Sequence, residues 1–133
     1  MPAFRYGDVR PYAAKTSLVR LFERASRRLP VPRRIHFGAL LTGGAHIACA
    51  AYRDHLVTAL TRKVSDRIVG GEMEGQGLIG LSAPEDPQWC LIKAICDFGD
   101  ERRDEEAPAR RADVCHVAAR FVLEAFRDEA LVE

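Results

Sequence analysis

A chain of 133 residues fits one domain and leaves no room for two, and 47% apolar residues are enough for a core. The net charge of +1 does not favour electrostatic capture of nucleic acid or of an anionic membrane surface, and the aromatic–basic interleaving of a nucleic-acid-binding domain is missing. The four cysteines, Cys49, Cys90, Cys96 and Cys115, form no C-x-x-C pair, which excludes zinc-ligand spacing and a secreted disulfide framework. Each sits among apolar residues, where a free thiol behaves as a small hydrophobe. Met1 to Arg5 lack the apolar stretch of a signal peptide, and no apolar run is long enough to span a bilayer. A reducing cytoplasm is the expected compartment.

Residues 1–14 show no period and carry Pro2, Gly7 and Pro11, so an irregular arm is expected. Leu18, Leu21, Phe22 and Ala25 then predict a helix over 16–28, capped by Thr16 or Ser17 and broken by Leu29-Pro30-Val31-Pro32. The Arg27-Arg28 and Arg33-Arg34 pairs flanking that break read as solvated. The apolar run 35–41 ends in Thr42-Gly43-Gly44, the pattern of a buried strand entering a turn. A helix is expected over 48–62, with Ala51, Leu56 and Leu60 on its apolar side. A second short strand, 67–69, leads through Gly70-Gly71 into Glu72-Met73-Glu74-Gly75. A helix from about Met73 to Leu81 and a loop over 82–87 follow. Residues 89–95 form the strongest predicted strand, ending at Cys96-Asp97-Phe98-Gly99-Asp100. The charged segment 101–111 predicts a solvated loop and helix start. The last helix, Pro108 to Asp128, carries the stripe Cys115, Ala118, Val122 and Ala125.

Short apolar strands alternating with helices predict an α/β fold: a partial three-layer α/β/α arrangement, mostly parallel, with helices covering the sheet. Ligands bind such sheets at the carboxyl ends of the strands. Here the three ends carry Thr42-Gly43-Gly44, Glu72-Met73-Glu74-Gly75 and Asp97-Phe98-Gly99-Asp100. Glycines admit a ligand close to the backbone, and carboxylates supply acid–base and hydroxyl-binding groups. The residues alone therefore predict a small polar ligand held by carboxylates.

Three segments add a resemblance. GGEMEGQGLI resembles the E-M-E-G/A segment of the nucleoside phosphorylase and methylthioadenosine/S-adenosylhomocysteine nucleosidase superfamily. WCLIKAICDFGDE is similar to that superfamily's strand ending in I-[SC]-D. IHFGALLTGG is similar to its H-x-G-x-x-x-[ST]-G segment, and ADVCHVAARFVLEAF resembles its Ala-rich closing helix. The motifs follow the family's order and together span residues 35–126. The resemblance extends to nucleosidase-like domains attached to bacterial and fungal NTPase and defence proteins, in which I-C-D followed by charged residues recurs.

The resemblance implies a phosphorylase/hydrolase-like fold of which this chain supplies the C-terminal half, and cleavage of the N-glycosidic bond of a nucleoside. It implies that Glu74 grips the ribose 2′- and 3′-hydroxyls with both oxygens, its charge favouring an oxocarbenium-like transition state. Met73 packs against the sugar. Asp97 is the general acid toward the leaving purine, a role that needs a carboxyl group whose pKa is raised by partial burial. His46, with Ile47 and Phe98, meets the base, and His46 stands where the nucleosidases stack an aromatic ring. Thr42, Gly43, Glu72, Lys93 and Asp100 support the pocket. No cofactor or metal is implied; phosphate is admitted as a co-substrate alongside water. A purine nucleoside is the favoured partner, with a homo-oligomer or partner chain completing the unit.

The same residues have plainer readings. Glu74 near a helix start is favourable with the helix dipole, Asp97 is a turn or cap residue, and Met73 belongs to a core. His46 is a satisfied or partly exposed histidine. Lys93 lies two alternations before Asp97 on the same face, and as a buried lysine it needs a carboxylate partner. Gly44 stands where the family more often places an acid, and no Gly-rich phosphate loop precedes residue 35. A non-catalytic nucleoside-binding or interaction module is therefore the alternative function.

Overall fold

The computed structural model describes residues 9–30 and 34–130. Among them are four helices, α1 (Thr16–Arg28), α2 (Ala50–Leu60), α3 (Gln76–Ile79) and α4 (Arg103–Ala130), and two strands, β1 (Ala39–Thr42) and β2 (Ile68–Glu72). The chain is a mixed α/β structure with a small two-stranded parallel sheet. Most of the expected arm, residues 1–8, and part of the break after α1, residues 31–33, lie outside the described residues; residues 9–15 have no regular structure.

α1 has the expected bounds, but neither Thr16 nor Ser17 caps it. Lys15 is the extended boundary residue and makes no side-chain cap. Its own N–H donates to the Trp89 carbonyl at 2.8 Å, and that tether fixes where the helix begins. The apolar stripe places Phe22 and Ala25 against Phe121 and Ala125 of α4. Phe22 packs between Phe121 and Phe126 with both ring centroids at 5.8 Å, the second pair edge-on, an arrangement favoured by the ring quadrupoles. Arg28, expected to be solvated, is 44% accessible and also pairs with Asp128 of α4 at 3.1 Å.

β1 begins at Ala39, four residues later than expected, and β2 reaches Glu72, beyond its expected end. A strand lasts only as long as its partner can ladder with it. Ala39 pairs with Ile68, the first residue of β2, and Leu40, Leu41 and Thr42 pair with Gly70, Gly71 and Glu72. The pairing holds the two glycines extended.

The strongest predicted strand, residues 89–95, is not a strand in the structure. It lacks ladder bonds, yet it alternates as an extended chain does. Cys90 and Ile92 pack on the α1–α4 core. Leu91 and Ile95 turn toward Gly75 and Gly70, close to where β-carbons at those glycines would lie. Contacts to the helix pair on one side and to the glycines of β2 and its turn on the other leave the segment half-buried, with Ile95 45% exposed. The expected three-strand sheet is thus reduced to two strands with an extended segment beside them.

α4 starts at Arg103, five residues before the expected Pro108, which lies inside it. Asp104, Glu105 and Glu106 fill the first turn, where acids favour the helix dipole. Glu106 also pairs with Arg102 at 2.7 Å and Arg110 at 3.2 Å. α3 is a single turn, because Met73 to Gly75 are held in a turn by Glu72.

Burial is sparse. Among the described residues the buried apolar side chains are Phe22, Ala25, Leu60, Ala107, Phe121 and Ala125. Phe37, Leu81, Ile95, Phe98, Leu123 and Phe126 are among the exposed large apolar side chains. Cys49 and Cys115, expected among apolar neighbours, are also exposed; all four cysteines are free thiols. No helix among the described residues is long and apolar enough to cross a membrane.

Candidate functional site

β1 and β2 end together. Thr42 pairs with Glu72, and the Gly43 N–H donates to the Glu72 carbonyl at 3.3 Å. Two of the three predicted strand ends therefore share one edge, as parallel pairing requires. Beyond it, the backbone N–H groups of Glu74 and Gly75 both donate to Oε2 of Glu72 at 2.6 Å. The turn exposes Met73, which is 38% accessible and so is no core residue. It also presents Glu74, whose side chain is 75% accessible.

Glu74 is held but not covered. Its Oε2 accepts the Met73 N–H at 3.2 Å and the Lys93 ammonium at 3.3 Å. The Met73 N–H and then Lys93 hold its carboxyl below the usual range, so it is an anion at neutral pH. Lys93 has a carboxylate partner, as expected, but the pair is exposed rather than buried, with 34% of the Lys93 side chain accessible.

Asp97 lies in a second cluster. Its Oδ1 accepts the Gly99 N–H at 2.9 Å, closing a side-chain turn that the left-handed backbone of Gly99, φ +62°, permits. Its Oδ2 accepts from the Cys96 thiol at 3.4 Å and lies 3.6 Å from Nε of Arg103. Partial burial is present, with the Asp97 side chain 17% accessible. It comes with two donors and a guanidinium, so Asp97 stands as an acceptor. Asp100 turns inward on its own loop, accepting the Arg102 N–H at 3.1 Å.

The 97–101 loop is stapled to the start of α2. Glu101 accepts the Ala50 N–H at 3.1 Å, satisfying a helix-terminal donor that Cys49 does not cap. Arg53 donates to the Phe98 carbonyl at 2.7 Å. A β-carbon at Gly99 would stand 3.4 Å from Cγ2 of Ile47. Ile47 and Phe98, both expected at the base, are therefore joined to the same loop. The Phe98 ring is 59% exposed, with the Arg110 guanidinium 6.0 Å from its centroid, at the outer limit of cation–π range. His46 is exposed.

The two carboxylates that the resemblance assigns to one pocket thus have different partners, Lys93 for Glu74 and Arg103 for Asp97. Arg53, Glu101 and Arg103 were not singled out in the sequence. Their signal was hidden in charged stretches, where solvated and structural charges look alike. Among the described residues no three His, Cys, Asp or Glu side chains converge as a metal site would need. A concavity of about 430 Å³, bordered by Arg10, Tyr12, Ile79, Ser82, Pro84 and Trp89, lies elsewhere and includes none of the candidate residues.

Comparison with protein-family models, curated proteins and solved structures yields no match.

Proposed function

We propose that this chain recognises a purine nucleoside and belongs to a cytoplasmic unit, of three-layer α/β/α type when complete, that cleaves the N-glycosidic bond. The observation that carries the reading is the turn at the shared carboxyl ends of β1 and β2. It offers an ionised, accessible Glu74 beside an accessible Met73, at the place where open α/β sheets bind ligands. A carboxylate there accepts two ribose hydroxyls and stabilises positive charge developing at C1′. Asp97 engages the purine, with Ile47, Phe98 and His46 bordering the base. Attack on C1′ by water or phosphate uses groups supplied from outside these residues, by a partner chain or a second copy, and the large exposed apolar surface supports such an assembly.

The alternative, nucleoside binding without cleavage, is favoured by one observation. Both oxygens of Asp97 face donors or a cation, so delivering a proton to a leaving base requires Arg103 to move aside. Thermal shifts with adenosine, inosine, uridine and adenine test the binding claim. A nucleoside at a hundred times its dissociation constant stabilises by about 2.7 kcal/mol, and larger shifts for adenosine and inosine than for uridine are expected. Equal or absent shifts for all four compounds overturn the reading. Release of free purine, lost in Asp97→Asn, separates the enzyme from the binding module.

A further inference from the structure

Glu72, expected only as a support for the pocket, is the buried acid of this edge. Its residue is 8% exposed, and one of its oxygens does all the bonding. Oε2 takes two backbone N–H groups at 2.6 Å, while Oε1 is buried with no partner. A buried acceptor left unpaired is costly. A turn that needed only a cap would be served by Ser, whose single hydroxyl oxygen reaches amides two and three residues on.

The position of the bare oxygen explains what the arrangement achieves. Oε1 lies against Gly75, where any β-carbon would overlap it, and Cδ2 of Leu91 would stand 3.1 Å from that same β-carbon. The side chain of Glu72 therefore requires glycine at position 75. The result is a backbone fixed at residues 74 and 75. The neighbouring Met73 N–H is left to Glu74's own carboxylate, which Lys93 pins from the other side.

We propose that Glu72 is a positioning residue for the ribose grip. It never touches the nucleoside; it locks the Met73–Gly75 turn so that Glu74 and Met73 meet the sugar in a fixed geometry. This rests on reading Glu74 as the ribose ligand. The lock has a defined steric key, Gly75, and a defined electrostatic one, the shared Oε2.

The test measures adenosine and adenine affinity by calorimetry on the full chain, with folding of each variant checked by its amide NMR spectrum. Glu74→Ala calibrates the ribose grip. Adenosine binding should weaken on the order of tenfold or more, with adenine unaffected. Glu72→Ala should reproduce that selective loss, and Glu72→Gln, which keeps one carbonyl oxygen for both amides, should restore most of it. Gly75→Ala reaches the same end from the other side by expelling the carboxylate, and covers the case in which Glu72→Ala does not fold. Adding Gly75→Ala to Glu72→Ala should cost little more, because the space is already vacated. If Glu74→Ala loses adenosine selectively while Glu72→Ala and Gly75→Ala do not, the positioning role is overturned and the ribose reading stands. If Glu74→Ala leaves adenosine and adenine affinities in their original ratio, the ribose reading itself falls.

Discussion

Replacing Phe22 by Ala tests whether the α1–α4 contact is the main source of stability. Phe22 is 4% exposed and packs between two other rings at 5.8 Å. Phe→Ala in a core costs about 3–5 kcal/mol. The lower half of that range applies here, because Phe126 is 48% exposed and can relax toward the space left. A loss of about 3–4 kcal/mol, spread over the unfolding entropy of 133 residues, lowers Tm by roughly 10–14 °C. Phe126→Ala removes the edge-on partner but little buried area, so about 1–2 kcal/mol is expected. Chemical denaturation of the two variants beside the parent chain gives both numbers. Equal losses would refute the reasoning, since burial would then not decide the cost. A loss below about 1 kcal/mol for Phe22→Ala would show that the core lies elsewhere.

Gly99→Ala should destabilise by about 1–2 kcal/mol through its left-handed backbone, measured by urea denaturation; Gly99→Asn should be milder, because Asn tolerates that region. Glu101 is held below the usual carboxylate range by its own N–H and that of Ala50, with help from Cys49 and Arg53. A depressed folded pKa contributes stability above the unfolded value of about 4.3 that is lost as pH falls through the lower folded value. The Tm gap between the parent chain and Glu101→Gln should therefore be constant above about pH 5 and close on further acidification; a gap that persists at low pH refutes the assignment. Glu74, depressed first by the Met73 N–H and then by Lys93, should keep adenosine affinity flat from pH 7 to about 5 and lose it below the ordinary glutamate range. Static light scattering should show a dimer, a larger assembly or partner-dependent behaviour; a well-behaved monomer contradicts the reading of the exposed apolar surface.

Periodicity alone gave α1 its bounds, because an amphipathic stripe closed by Pro30 leaves one helical solution. It also placed β1, α2, β2 and α4, with errors at their ends. Those ends were set by partners distant in sequence, among them Arg67 and Ile68 for the start of β1 and Glu101 for the start of α2. The segment 89–95 is the sharper lesson. A continuous apolar run reads as a strand buried on both sides, and only the tertiary structure could show an unpaired, half-buried segment between the helix pair and the glycines, with Ile95 left exposed. At the candidate site the sequence marked Glu74, Met73 and Lys93, and it asked a carboxylate partner for Lys93 without saying which; the structure supplies Glu74. The resemblance assigned different roles to Glu72 and Glu74, but the sequence did not say which of the two is buried. Chain direction at the end of β2 decides between them: it buries Glu72 against Gly75 and turns Glu74 outward to solvent.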